Sequence, residues 1–274
     1  AEVATAAAKR LTEALRTLEE YAKIEAPAHA AELEQTRYRA YTLEQSLLER
    51  LRAAATLEGR KLYLLLSSHL TAGRDMLDVA RSAIAGGVDI VQLREKQLSD
   101  LETFRVATAL REICNETGCV FMMNDRIDIA LAAEADGVHL GQTDLPLLEA
   151  RTLLGSDKLI GRSTHSLNQA REALADRASY LAVGPMFATT TKNKSPVGPG
   201  LLSDYRANLP AGTPLVAVGG ITAQTALQLG AADCLAVSSA IGEAPDPAAA
   251  AAELRTAFCS NQSANTPPSM EDAS

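Results

Sequence analysis

The chain has 274 residues, a formal net charge of −8 and a pI of about 5.1, and it lacks the Lys/Arg cluster that a nucleic-acid-binding face requires. No apolar run reaches about 18 residues, so no membrane span is predicted. The four cysteines include no C-x-x-C pair and the start of the chain shows no signal-peptide pattern, so we expect a cytoplasmic protein with reduced thiols.

Residues 1–58 are predicted to form a helical hairpin. Leu11, Leu15 and Leu18 fall on one helix face, and Pro27 interrupts the pattern before a second helical stretch begins. Two helices of this length bury too little apolar surface to be a convincing independent domain. We therefore interpret the hairpin as a packing element and as a candidate surface for homo-oligomer formation.

From Lys61 onward, short apolar runs alternate with helical patterns. The runs are Leu62–Leu66, Ile90–Leu93, Val120–Met123, Gly137–Leu140, Leu159–Gly161, Tyr180–Val183, Leu215–Val218 and Cys234–Val237. This alternation favours an α/β fold, a (β/α)8 TIM barrel over residues 59–259, because an open flavodoxin-like sheet would leave several runs unexplained. The Ser-, Asn- and Pro-rich segment 260–274 is predicted to be disordered.

Polar residues follow the second, third and fourth runs, at the strand ends where such barrels bind ligands. Gln92, Arg94 and Lys96 alternate along the chain, and two cations with an amide suit a phosphate or diphosphate. A solvated strand end is an equally good explanation. Asp125 and Asp144 follow neighbouring runs and are able to share one Mg²⁺. Helix capping is the alternative for both aspartates.

The later runs also end in polar or glycine-rich segments. Ser163 is placed to hydrogen-bond a ligand oxygen, whereas His165 is either an acid–base group or a packed residue, and His139 is interpreted as structural or orienting. Segment 189–192 is hydroxyl-rich, and the basic stretch 192–200 that follows is predicted to be a flexible loop that can close over an anion. Gly219-Gly220 and Ser238-Ser239 follow the last two runs, where this fold commonly binds phosphate. A tight turn without a ligand is the alternative.

In this order and spacing, the motifs resemble the thiamine phosphate synthase family. They are Gln92–Lys96, Asn124-Asp125, Asp136–Asp144, Ser163–His165, Gly184-Pro185 with Thr189–Lys192, and Gly219–Ile221. The resemblance implies that hydroxymethylpyrimidine pyrophosphate condenses with thiazole phosphate to give thiamine phosphate and pyrophosphate. The hairpin resembles an N-terminal extension of some bacterial members, to which we assign no activity.

The resemblance also implies residue roles. Mg²⁺ is the expected cofactor, and Asp125 and Asp144 are its expected ligands. The catalytic residues that it implies are Arg94, Lys96, Ser163 and Lys192. Arg94, Lys96, Asn124 and Lys192 are expected to hold the pyrophosphate, with Gln92 and Ser163 nearby. Thr189, Thr191, Gly220, Ser238 and Ser239 are expected to hold the thiazole phosphate.

Two other functions remain open from the sequence. A thiazole tautomerase of the same superfamily would share the barrel and would use His165 as its catalytic residue. It would not need Arg94 and Lys96 together with Asp125 and Asp144. A non-catalytic phosphate-sensing barrel, with the hairpin as its interaction surface, would bind phosphate ligands without turnover.

Overall fold

The computed structural model describes residues 2–189 and 195–265, and at Glu2 and 261–265 it describes only the backbone. The chain separates into two compact units, Ala1–Thr56 and Leu57–Ser274. Among the residues so described, no helix is long and apolar enough to span a membrane.

The N-terminal unit contains the helices α1 (Glu2–Glu25) and α2 (Pro27–Leu57). Pro27 is the first residue of α2, where its missing N–H costs no helical hydrogen bond. Arg37 Nε donates to Glu19 Oε2 at 2.7 Å, so an ion pair joins the two helices. The predicted helical hairpin is confirmed.

In the described part of the second unit, eight parallel strands form a closed barrel. They are β1 (Leu62–Leu66), β2 (Ile90–Leu93), β3 (Val120–Asn124), β4 (Gly137–Leu140), β5 (Leu159–Thr164), β6 (Tyr180–Val183), β7 (Leu215–Val218) and β8 (Cys234–Val237). Each strand pairs with the next, and β1 pairs with β8 to close the ring. The predicted (β/α)8 TIM barrel is therefore confirmed.

Helices connect the strands and cover the barrel. They are α3 (Met76–Ala85), α4 (Asp100–Thr117), α5 (Ile127–Ala132), α6 (Leu147–Leu154), α7 (Leu167–Ala175), α8 (Gly200–Asn208), α9 (Ala223–Ala226), α10 (Ser239–Gly242) and α11 (Pro247–Asn265). Ser166 caps α7 by accepting a hydrogen bond from the N–H of Gln169.

The last helix is longer than the sequence predicts. Helix α11 reaches Asn265, so the predicted disorder of 260–274 is wrong for residues 260–265. Ser260 Oγ donates to the Thr256 carbonyl at 2.9 Å, one turn earlier, which shows how a polar side chain is accommodated in this helix. Residues 266–274 lie outside the described part of the chain.

Alternate residues of each strand face opposite sides of the barrel wall. Val91 and Leu93 of β2 belong to the apolar layer between strands and helices, whereas Gln92 between them lines a cavity inside the barrel. The same alternation places Tyr63 between the core residues Leu62 and Leu64 of β1. Inward-facing positions of the strands therefore include the polar side chains that line the cavity.

Candidate active site

A cavity of about 460 Å³ lies at the C-terminal ends of the barrel strands. The predicted site residues that line it are Gln92, Arg94, Asn124, Ser163, Thr189, Gly220, Ser238 and Ser239. Thr191 and Lys192 lie outside the described residues. The cavity thus brings together residues that lie in, or directly after, six different strands, as the position of ligand sites in this fold leads us to expect.

Lys96, Asp125 and Asp144 form a compact polar cluster next to Asn124, which lines the cavity, although none of the three is itself a lining residue. Lys96 Nζ lies 2.5 Å from Asp125 Oδ2, and the carboxyl groups of Asp125 and Asp144 are close enough for each to shift the pKa of the other. The N–H of Gly141 donates to Asp144 Oδ2 at 2.6 Å. The backbone of Asp125 has a φ of 59°, a left-handed conformation that Asp tolerates better than most residues.

The two carboxylates titrate differently although they are in contact. Burial raises the pKa of Asp144 above its ordinary value, and the hydrogen bond with Asp125 raises it further. Burial also acts to raise the pKa of Asp125, but the hydrogen bonds with Asp144 and Lys96 outweigh it, so the pKa of Asp125 lies below its ordinary value. Two adjacent carboxylates disfavour double ionisation unless a cation offsets their repulsion.

These residues fit a magnesium ion. Mg²⁺ is usually held by one or two carboxylates, with water and substrate phosphate oxygens completing its coordination. Among the described residues, no group of three or more His, Cys, Asp or Glu side chains is placed to hold a metal. A cation at Asp125 and Asp144 would therefore keep coordination positions for water and for a phosphate ligand.

The helix-capping alternative for the two aspartates is not seen. Helix α5 begins after Arg126 and helix α6 begins after Pro146, and neither start has a side-chain cap hydrogen bond. Asp144 instead accepts its hydrogen bond from Gly141, within the loop after β4.

The loop that carries Arg94 and Lys96 is fixed by the carboxylate between them. Glu95 accepts hydrogen bonds from the N–H groups of Ser68 at 2.9 Å, Lys96 at 2.7 Å and Gln97 at 2.8 Å. Burial acts to raise the pKa of Glu95, but these hydrogen bonds outweigh it and hold the pKa below its ordinary value. The ionised carboxylate thus ties the loop after β2 to the loop after β1.

The loops after β7 and β8 approach other backbone segments closely. Gly220 has a φ of 65°, and a Cβ placed on it would lie 2.4 Å from the carbonyl oxygen of Ala188. Glycine is therefore required here for packing against the segment after β6, as well as for any ligand approach. Ser238 Oγ donates to the Leu65 carbonyl at 2.8 Å, so the hydroxyl hydrogen of Ser238 points to β1.

A chain of side-chain hydrogen bonds crosses the barrel interior and was not predicted. Gln92 Nε2 donates to Tyr63 Oη at 2.6 Å, and Tyr63 Oη lies 3.0 Å from Tyr180 Oη. His139 Nδ1 is 3.1 Å from Tyr180 Oη, and His139 Nε2 is 2.9 Å from Ser163 Oγ. The two tyrosines escaped prediction because a tyrosine within an apolar run is typical of a core residue.

His165 lies in the cavity wall. Its Nδ1 contacts the carbonyl oxygen of Gly184, and its backbone N–H donates to Gln169 Oε1 at 2.8 Å. Because a carbonyl oxygen only accepts, Nδ1 carries the hydrogen in this contact. This contact orients the imidazole in the cavity wall, and both roles that the sequence left open for this residue stay predictions.

A closed parallel barrel with a polar cavity at the C-terminal ends of its strands defines a (β/α)8-barrel enzyme. Residues 62–241 match the family model described as thiamine monophosphate synthase. A thiamine-phosphate synthase of Synechocystis sp. is 41% identical over 251 residues, which are 90% of this chain and 71% of that protein. The chain belongs to the thiamine-phosphate synthase family, whose enzymes are transferases.

Further comparisons agree with this assignment. A thiamine-phosphate synthase of Gloeobacter violaceus is 43% identical over 246 residues, 87% of this chain and 69% of that protein. The solved thiamine phosphate pyrophosphorylase of Pyrococcus furiosus superposes with a TM-score of 0.68 at 31% identity, covering 77% of this chain and 98% of that one. Residues 1–46 match the ThiD2 family model. These matches do not favour the tautomerase or the non-catalytic sensor.

Proposed function

We propose that the cavity holds both substrates of thiamine phosphate formation at once, with the diphosphate beside Asp125 and Asp144 and the thiazole phosphate at the loops after β6, β7 and β8. The observation that carries this proposal is the cluster of Lys96, Asp125 and Asp144 at one edge of the cavity that Arg94 lines. Gly220 borders the same cavity, so one ligand space connects the two predicted phosphate sites.

At the diphosphate end, the residues neutralise and orient a leaving group. Arg94 can bind phosphate oxygens through two parallel N–H groups. Asn124 and Lys96 are proposed to bind the same pyrophosphate. Lys192 is proposed for the same anion on the resemblance alone. A magnesium ion held by Asp125 and Asp144 would supply charge stabilisation of the departing pyrophosphate.

At the thiazole end, the chain anchors the second phosphate. Thr189, Ser238 and Ser239 line the cavity with Gly220, and Thr191 is proposed on the resemblance. Anchoring both phosphates holds the thiazole nitrogen in line with the pyrimidine methylene carbon. The carbon–oxygen bond to pyrophosphate breaks first, and the ring amino group stabilises the resulting cation. The protein therefore needs no covalent nucleophile.

A one-pot assay tests this function. With Mg²⁺ and both substrates, the protein is expected to release pyrophosphate and thiamine phosphate in equal amounts, and with either substrate alone it is expected to release neither. Binding of both phosphorylated compounds without pyrophosphate release would support a sensor. Isomerisation of a thiazole phosphate alone would support a tautomerase.

The carboxylate of Glu95 offers a test of how the diphosphate site is built. Glu95→Gln removes the charge and one of the oxygens that accept the three backbone N–H groups. Hydrogen bonds to a charged group contribute about 1.5–3 kcal/mol each, so kcat/KM for the pyrimidine substrate should fall by about tenfold or more. Steady-state kinetics with each substrate varied in turn will measure it.

The matched control for that variant is Glu102→Gln. Glu102 also accepts a backbone N–H, from Ser99 at 3.0 Å, but it belongs to the capping box of helix α4 and, unlike Glu95, is not adjacent in sequence to a residue that lines the cavity. It should leave the kinetic constants unchanged. Equal kinetic losses in both variants would mean that Glu95 has no special relation to the site.

The hairpin carries our proposal for self-association. Leu18, Tyr21 and Leu43 are 55%, 67% and 70% exposed, which is unusual for large apolar side chains unless another surface covers them. We propose that the chain forms a homo-oligomer through the hairpin. We also propose 1–58 as the bounds of the hairpin and 59–259 as the bounds of the barrel. A monomer mass for the intact chain across micromolar concentrations would exclude the homo-oligomer. Cys114, Cys119 and Cys234 are buried thiols, which supports the proposal of a cytoplasmic location.

A further inference from the structure

The hydrogen-bonded chain that links Gln92 to Ser163 runs along the wall of the ligand cavity, which all five of its side chains line. Gln92, Tyr63 and Tyr180 are no more than 2% exposed, whereas His139 and Ser163 are partly exposed. Each of the five side chains comes from a different strand, β2, β1, β6, β4 and β5 in that order. A substitution at one end of the chain therefore reaches the serine at the other end through hydrogen bonds between strands.

The buried end fixes the direction of the chain. Gln92 Nε2 can only donate, so the oxygen of Tyr63 accepts this hydrogen bond. If Tyr63 also accepted from Tyr180, which lies at 3.0 Å, its own buried hydrogen would lose Tyr180 Oη as an acceptor, so the favoured arrangement is that Tyr63 donates to Tyr180. Burial raises the pKa of Tyr63 and the pKa of Tyr180 above their ordinary value, so both phenols keep their single hydrogen. Each tyrosine accepts from one neighbour and donates to the other.

The same direction continues to the cavity. Because Tyr180 accepts from Tyr63, its hydrogen points to His139 Nδ1. A neutral imidazole that accepts at Nδ1 carries its hydrogen at Nε2, and that hydrogen points to Ser163 Oγ at 2.9 Å. The serine oxygen is thereby an acceptor from His139. Its own hydrogen remains available for a ligand in the cavity.

We propose that Tyr63, Tyr180 and His139 are positioning residues that hold Ser163 as a hydrogen-bond donor to the substrate. This inference rests on the proposed function, because the ligand that Ser163 is expected to meet is the pyrophosphate group, near which the family resemblance places it. Phosphate oxygens accept hydrogen bonds and do not donate them when ionised. If the hydrogen bonds ran in the opposite direction, Ser163 would donate its hydrogen to His139. Only the lone pairs of the serine oxygen would then face the anion.

Three further observations support the arrangement of these side chains. Gln142 Nε2 donates to the backbone carbonyl of Ser163 at 2.6 Å, which fixes the main chain of the serine. A Cβ on Gly161 would lie 2.1 Å from Cζ of Tyr180, so glycine at this position of β5 leaves room for the end of the tyrosine ring. The ring of His139 stacks on Tyr180, with centroids 5.8 Å apart and an interplanar angle of 29°.

The protonated nitrogen of His139 is the direct readout. Nitrogen-15 NMR of the ligand-free, full-length chain, at a pH at which the imidazole is neutral, should show the hydrogen of His139 on Nε2. In Tyr180→Phe, which removes one oxygen and keeps the ring, His139 should become a mixture of the two neutral tautomers. A hydrogen on Nδ1 in the unaltered protein would overturn the inference, as would an unchanged spectrum in Tyr180→Phe.

Kinetics provide the second readout. Tyr180→Phe should lower kcat/KM by about three- to tenfold, the range for one lost hydrogen bond. In a protein that already carries Ser163→Ala, adding Tyr180→Phe should not lower kcat/KM further, because the hydrogen-bond chain acts through the serine. Multiplying losses in the double variant would overturn the proposal. Tyr63→Phe interrupts the hydrogen-bond chain one link earlier and should have the same effect as Tyr180→Phe. It replaces Tyr180→Phe as the test if that variant does not fold.

A buried tyrosine outside the chain serves as the matched control. Tyr205 is fully buried and donates to the Ser166 carbonyl at 2.7 Å, so Tyr205→Phe removes a comparable hydrogen bond. It should leave the His139 spectrum and kcat/KM unchanged. The NMR result does not depend on turnover. If the unaltered protein released no pyrophosphate, the proposed function would fail while the tautomer of His139 would still decide the direction of the chain.

Discussion

Asp125→Asn should lower turnover by about 10²–10³-fold and leave the fold intact. Removing one preorganised charge-stabilising group typically costs about 3–4 kcal/mol of transition-state stabilisation, and Asp125 is both a proposed magnesium ligand and the partner of Lys96 at 2.5 Å. Asparagine keeps the shape and tolerates the φ of 59° at this position. Asp125→Ala should be equally slow, with a small additional loss of stability.

Turnover measured across Mg²⁺ concentrations distinguishes a lost ligand from a damaged fold. The Asp125 variants should need more Mg²⁺ and should remain slow at saturation, while their circular dichroism and melting temperature stay close to those of the unaltered chain. Asp128→Asn is the matched control, because Asp128 is an exposed neighbour whose ion pair with Arg126 lies outside the cavity. Normal turnover of Asp125→Asn at low Mg²⁺ would remove the metal assignment.

Arg94→Gln should affect the two substrates unequally. Arg94 lines the cavity, and its backbone is held on both sides, by its own N–H to Leu66 at 2.8 Å and by Ser67 Oγ to its carbonyl. The backbone from which the Arg94 side chain extends is therefore held in place. Its loss should lower kcat by about 10²–10³-fold and raise KM for the pyrimidine pyrophosphate, with little change in KM for thiazole phosphate.

The conservative variant and an exposed arginine complete this test. Arg94→Lys should recover only part of the activity, because an ammonium does not reproduce the paired N–H groups of a guanidinium. Arg105→Gln, on the exposed side of α4, should behave as the unaltered chain does. A rise in KM for thiazole phosphate alone would place Arg94 at the other phosphate and reverse the proposed arrangement.

The barrel was predictable because its apolar runs alternate with helical patterns along the chain. Two strands are longer than predicted: β3 ends at Asn124 and β5 at Thr164. Near the cavity, polar side chains occupy the inward positions while the strand hydrogen bonds continue. The point in the sequence at which the apolar run ends therefore marks the first residues of the site, and the strand continues beyond it.

The candidate site was predictable only where its residues follow the strands. Arg94, Asp125 and Asp144 are polar residues at strand ends, and such positions point to function in this fold. Tyr63 and Tyr180 lie within apolar runs, and their partners come from distant parts of the sequence. Only the closure of the barrel brings them together. Glu95 was missed for a related reason, because its partners are backbone N–H groups that no side-chain pattern reveals.

A crystal grown with Mn²⁺ and pyrophosphate tests the central claim most directly. Anomalous scattering should place one Mn²⁺ in contact with the carboxylates of Asp125 and Asp144, sharing a pyrophosphate oxygen, with Arg94 hydrogen-bonded to the same pyrophosphate. A metal bound elsewhere, or a pyrophosphate that touches neither Arg94 nor the metal, would contradict the account.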